Sequence, residues 1–209
     1  MPGLYNFSMD GEREKLVLEK LREEERGIIM MTGLIRERVY EFLIKKKGYL
    51  EDDIEIDAPF DVETSRQKES CSVDFIVRAG GKRIVAIKCA VSALESVERH
   101  VLAFGRAAAD VMIPFSVVTR SDYSRVLRTE NGELISEDLS AIPDKSSAMR
   151  IADAELAKLS PEKAEKERRI LLAFNVIDCG VPGACDSAPA GGQSKKKSSG
   201  QVIPLKFNR

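Results

Sequence analysis

The 209-residue sequence has no tryptophan and one histidine, His100, which counts against His-based metal or triad chemistry. Its four cysteines, Cys71, Cys89, Cys179 and Cys185, carry no secretory context, so reduced thiols and a cytoplasmic location are expected. Cys179 and Cys185 stand near the tail with no second pair, and structural zinc wants four ligands. No apolar run is long enough to span a bilayer, so no membrane association is expected. Charge of either sign is also missing in bulk. A net charge of -1 gives no overall pull toward nucleic acid, so any such binding must come from a local patch.

What is present is 43% hydrophobic and 32% charged residues, ample for one core plus appendages. Residues 1–31 read as a charged arm with a helix over 10–26, separated from the rest by Gly27 and the IIMMTG stretch. A domain is expected at 32–142. It opens with a helix over 34–47, where Ile35, Val39, Phe42 and Leu43 share a stripe and Gly48 marks the end. Residues 54–62 alternate as a strand, with Pro59 favouring an edge or bulge. A helix over 92–111 carries a capping box of Ser92 and Glu95, and a short buried strand follows at 114–119. Asn131-Gly132 predicts a hairpin between 125–128 and 133–135. Residues 143–178 are read as two further helices, over 145–158 and 161–176, and 179–209 as a disordered tail. The 92–111 helix crossing between strands of one sheet makes the fold class a mixed α/β sandwich with N- and C-terminal helical appendages.

The centre of the chain is CSVDFIVRAGGKRIVAIKC, residues 71–89. Its period-2 alternation on both sides of Gly80-Gly81 reads as a β-hairpin. A plain two-residue loop would pair Asp74 with Ile87 and set a carboxylate on the apolar face. Pairing Val73 with Ile87, or with its neighbours two residues away, keeps the apolar residues together. That register needs a three-residue loop or a bulge, and it places Asp74, Ala86 and Lys88 on one face.

A strand Asp and a strand Lys on one sheet face beside a helix are the makings of a metal-dependent phosphodiesterase site. Carboxylates hold Mg²⁺, the metal activates water, and the lysine stabilises charge. The segment IRERVYEFLIKKKGY, then SVDFIV, IVAIK, HVLAF and VVT, in that order over residues 34–140, resembles the N-terminal nuclease domain of type I restriction enzyme R subunits, within the PD-(D/E)xK superfamily. The resemblance implies a restriction-endonuclease-like sheet sandwich (helix, three strands, helix, strand). It implies Asp74 and Lys88 as catalytic residues, Mg²⁺ as cofactor, and DNA and other protein subunits as partners. The chain departs from the pattern at the metal-binding Glu of Glu-x-Lys, which is Ala86, and at the usual Gln and Tyr positions, which are His100 and Phe104. Metal ligands are therefore expected from Asp74 with Glu37 (or Glu41) on the first helix, or with Glu98 on the second, Glu95 being taken by its cap. No GxxxxGK[ST] loop is present in these residues, so a complete restriction subunit is not expected from them.

Each residue also has a plain structural role open to it: Asp74 as the partner of Arg78 or Lys88, His100 as a helix-flank residue, Phe104 as core, and Cys71 and Cys89 as packing thiols. Two functions follow, an Mg²⁺-dependent nuclease or a catalytically lapsed nuclease fold kept to bind nucleic acid or protein.

Overall fold

The computed structural model describes residues 11–64, 68–91, 94–108 and 111–178, without the side chains of 11–14, 94 and 175–178. The expected tail, its two cysteines and the Ser92 half of the capping box lie outside the described residues.

The chain opens with one long helix, α1 (Gly11–Lys45). The break expected at Gly27 does not occur. A helix interior accepts a lone glycine at a cost of about 1 kcal/mol, and the Leu, Glu, Lys and Arg around it are strong helix formers. The arm and the first helix of the domain are therefore one rod of about 52 Å at 1.5 Å per residue. Only its C-terminal part is buried, through Ile35, Val39 and Leu43.

The strand expected over 54–62 is two strands. β1 (Ile54–Ile56) and β2 (Pro59–Glu63) belong to different sheets. Between them Asp57 takes a left-handed φ of 50°, which Asp tolerates better than most residues, and Pro59 cannot donate to a ladder. β2 pairs antiparallel with β3 (Lys68–Ser72), a strand that the sequence reading merged into its neighbour. The chain then enters the main sheet as β4 (Phe75–Ala79) and β5 (Lys82–Cys89). After α2 (Leu94–Ala107) come β6 (Phe115–Thr119), β7 (Ser124–Arg128) and β8 (Leu134–Ser136). The sheet order is β1-β4-β5-β6-β7-β8, with β5 and β6 parallel and every other pair antiparallel. A parallel pair needs a crossover, and α2 supplies it.

The central hairpin has the register that burial selects. Phe75 pairs with Ile87 and Ile76 with Ala86, and the ladder slips between Val77 and Arg78. The expected irregularity is this bulge. The turn itself stays tight because Gly80 and Gly81 take φ of 54° and 76°.

Two layers of apolar side chains sandwich the sheet. One face carries Phe75, Val77, Val85 and Ile87 against α1 and α3 (Lys145–Asp153), through Val39, Leu43, Ala148 and Ala152. The other carries Ile76, Ala86 and Val118 against α2, the β2–β3 ribbon and α4 (Pro161–Asp178), through Phe104, Val62, Leu171 and Leu172. The expectation of C-terminal appendages is thereby corrected. α3 and α4 belong to the core layers: Ala148 and Ala152 are buried beside α1 on one face, and Leu171 and Leu172 beside α2 on the other.

Candidate functional site

The break between β3 and β4 positions the site. As the chain crosses from the small sheet to the large one, Asp74 falls in a bend just before β4 rather than within a strand. Its backbone carbonyl accepts from the Asp57 N–H at 3.2 Å, so the two aspartates are clamped together. Asp74 is buried, with its side chain 6% exposed. One oxygen accepts the Cys89 N–H at 2.7 Å, and Lys88 Nζ stands 3.8 Å from that oxygen. The sequence pairing of Asp74 with Lys88 is thus present, while Arg78 turns to Glu55 instead.

The other Asp74 oxygen meets a residue that sequence reasoning missed. Arg36 Nη1 donates to it at 2.5 Å, and the same guanidinium forks onto Asp57 at 2.8 and 2.6 Å. Arg36 also sits 5.3 Å over the Phe75 ring. Burial works to lower the Arg36 pKa, but the bonds to Asp57 and the charges of Asp74 and Asp57 outweigh it, and the guanidinium is held more firmly charged. Beside it, burial pushes the Cys89 thiol up, helped by the Asp74 charge, so this sulfur stays protonated.

The residues expected to complete a metal site are elsewhere. Glu37 follows Arg36 on α1 and, one residue further round the helix, is exposed. Glu41 pairs with Lys45 at 2.7 Å. Glu95 is exposed on the first turn of α2, and Glu98 is bound to Arg125 of β7 at 2.5 Å. Ala86 is fully buried in the apolar layer with Ile76, Phe104 and Val118. His100 is 5% exposed and lies against the Phe174 ring at 5.6 Å, and Phe104 is core. Among the described residues no three His, Cys, Asp or Glu side chains are grouped to hold a metal ion. The donor set therefore does not fit Mg²⁺: one carboxylate is locked by a guanidinium, and the position where the resemblance led one to expect a second is a buried methyl group.

A second feature lies at the opposite end of β4 and β5. A cleft of about 810 Å³ between the Gly80-Gly81 turn, the end of α2 and the start of α4 is lined by Arg78, Lys82, Arg83, Arg106 and Arg168 against Glu55. In a chain of net charge -1, this is a local concentration of cations.

Residues 33–143, just over half the chain, match the family described as Type I restriction enzyme R protein N terminus. The chain belongs to that family. No curated protein and no solved structure matches it. The matched segment of this R protein N-terminal domain begins just before Arg36 and ends before α3, so it contains Asp57, Asp74 and Lys88 and omits both C-terminal helices. Asp57 and Arg36 left weak signals in the sequence. Asp57 precedes Ala58-Pro59, where the proline favours an edge or a bulge, and Arg36 stands one residue before the Glu37 that the family resemblance singled out. No helix among the described residues is long and apolar enough to cross a membrane.

Proposed function

We propose that this R protein N-terminal domain is a restriction-endonuclease-like fold that has lost phosphodiester hydrolysis and is kept as a DNA-binding module within a larger assembly. The observation that carries the proposal is the Arg36 fork. Its guanidinium occupies the place beside Asp74 where a nuclease of this kind needs a divalent cation, and a protein cation held by two carboxylates is not readily displaced. Ala86 removes the second ligand. The element order of helix, strands, crossover helix and strand supports the restriction-endonuclease-like arrangement, and the cation-rich cleft supports an acidic polymer as partner. The nuclease reading draws its support from the surviving Asp74–Lys88 pair.

The test combines cleavage with binding. Single- and double-stranded DNA is incubated with the wild-type chain or Lys88→Ala in Mg²⁺ or Mn²⁺, and duplex binding is followed by fluorescence anisotropy across a salt series. Both proteins are expected to leave the DNA intact. The wild type should bind duplex more weakly as salt rises, and Arg78→Glu or Arg168→Glu should flatten that slope by about one unit per lost phosphate contact. Metal-dependent cutting that disappears in Lys88→Ala would overturn the loss of hydrolysis. Salt-insensitive binding, or none, would overturn the DNA-binding role.

A further inference from the structure

The cations of the cleft between the Gly80-Gly81 turn and the start of α4 are not equivalent. Lys82 is tied to the Ala152 and Ala154 carbonyls at 2.5 and 3.0 Å. Arg83 forks onto Glu55 at 3.2 and 2.7 Å, and Arg106 is held by Glu167 at 3.1 Å and by the Thr129 carbonyl at 2.8 Å. These three belong to the scaffold. Arg78 is 45% exposed and reaches Glu55 only at 3.5 Å, and Arg168 has no hydrogen-bond or ion-pair partner among the described residues. Two cations, one from the hairpin and one from α4, are thus left to meet a ligand.

Beside them the lining is apolar. Phe60 of β2, Val111 and Leu159 line the cleft and are each only part-buried. Phe60 stands edge-to-face with Phe104, the ring centroids 6.0 Å apart and the planes at 73°, which leaves at least one face of Phe60 off its neighbour. A duplex turns its phosphates outward and hides its base faces in the stack, so a ring inside a cleft offers it nothing. A single strand brings both groups, phosphates for arginines and an unstacked base for an aromatic face. The cleft's volume of about 810 Å³ falls in the ~300–1,000 Å³ range of sites that enclose one small molecule, the scale of a nucleotide or two rather than of a duplex. We infer that this cleft takes single-stranded DNA, with a base on Phe60 and phosphates on Arg78 and Arg168; the assignment rests on the DNA-binding reading of the cleft.

Fluorescence anisotropy with the full chain compares a labelled oligothymidylate of about twelve nucleotides with a duplex of the same length at equal salt. The single strand is expected to bind more tightly. Phe60→Leu keeps apolar packing against Phe104 but has no ring to stack on. It should weaken binding of the single strand by roughly five- to a hundred-fold and leave that of the duplex as it was. Phe60→Trp supplies the chain's one tryptophan, whose emission should be quenched by the oligothymidylate and not by the duplex. A duplex bound as tightly as the single strand, or a Phe60→Leu chain that loses nothing, would overturn the single-strand assignment and leave DNA binding standing. If Phe60→Leu loses its circular dichroism, the tryptophan decides, and emission indifferent to the oligothymidylate overturns the assignment. Absence of binding to either form would overturn the DNA-binding reading itself, and the assignment with it.

Discussion

Replacing Arg36 by Met tests the lock on Asp74 most directly. Met keeps a straight apolar stem against Phe75 and removes the guanidinium, so the change falls on charge rather than on packing volume. The Arg36 and Asp74 side chains are 15% and 6% exposed, so this is a nearly buried pair, and leaving one member uncompensated costs about 3–5 kcal/mol. Asp74 retains the Cys89 N–H at 2.7 Å and Lys88 at 3.8 Å, which holds the loss toward the lower end of that range. Asp57, 59% exposed, adds less than about 1 kcal/mol. The expected cost is therefore about 3 kcal/mol, a large part of the 5–15 kcal/mol typical of whole domains. Urea unfolding followed by far-ultraviolet circular dichroism is the suitable assay, because the chain has no tryptophan to report fluorescence. Asp74→Asn removes the charge that the guanidinium compensates, so the double variant should cost less than the two single changes added together, by more than about 1 kcal/mol. A loss below about 1 kcal/mol for Arg36→Met, or strictly additive costs, would refute the lock.

The remaining predictions concern the rest of the core. Ala86→Glu, which would supply the glutamate expected there from the resemblance, should destabilise the fold by several kcal/mol and not create activity, since Ala86 is fully buried among apolar side chains; a well-folded, cleaving variant would count against the apolar setting assigned to Ala86. Gly105→Ala should lower the melting temperature, because an added Cβ would stand 2.8 Å from both Ser116 Oγ and Thr129 Cγ2, an overpacking worth about 1–3 kcal/mol; an unchanged melt would mean that α2 can move off β6. The Asp144 carboxyl caps α3, and its bonds from the Ser147 N–H and the Ser146 hydroxyl hold it down to about 2. A depressed folded pKa gives stability that is complete above the ordinary carboxylate range and fades as pH falls toward 2, so the gap between wild type and Asp144→Ala should close between about pH 4 and pH 2. A gap that persists at the acid end would assign the effect to something other than the cap.

The sequence was most legible where one period dominated. The Phe75–Ile87 register followed from keeping the apolar residues of 73–89 together on one face, and the structure has that register. It divides those residues between the two layers, however, with Val73, Ile76 and Ala86 on the other side from Phe75, Val77, Val85 and Ile87. Asp74 beside Lys88 came with that register. Legibility failed where chain direction changed without changing composition. Ile54 to Val62 alternates without a break, yet Asp57 turns the chain and splits it between two sheets. Arg36 left only a weak signal for a related reason. On a helix, neighbours point about 100° apart, so a choice between Arg36 and Glu37 needs the rotation of α1 on the sheet to within a third of a turn, and no local pattern fixes that. Gly27 misled through propensity alone, since the helical residues on both sides of it, from Gly11 to Lys45, outweigh one glycine.

Glu167 of α4 is buried and reaches back to Arg99 and Arg106 of α2 at 2.6 and 3.1 Å, while Leu171 and Leu172 close the apolar layer beneath. The stretch that identifies the family ends at residue 143, well before Glu167, Leu171 and Leu172. The recognisable part of the chain and the part that can stand alone in water are therefore not the same length. A fragment trimmed to the recognisable part would uncover Phe104, Ala107 and Val62 and leave two arginines without their shared acid. Cutting at the other end, before Ile35, would take no buried side chain among the described residues, so a usable fragment can be shortened from the front but not from the back.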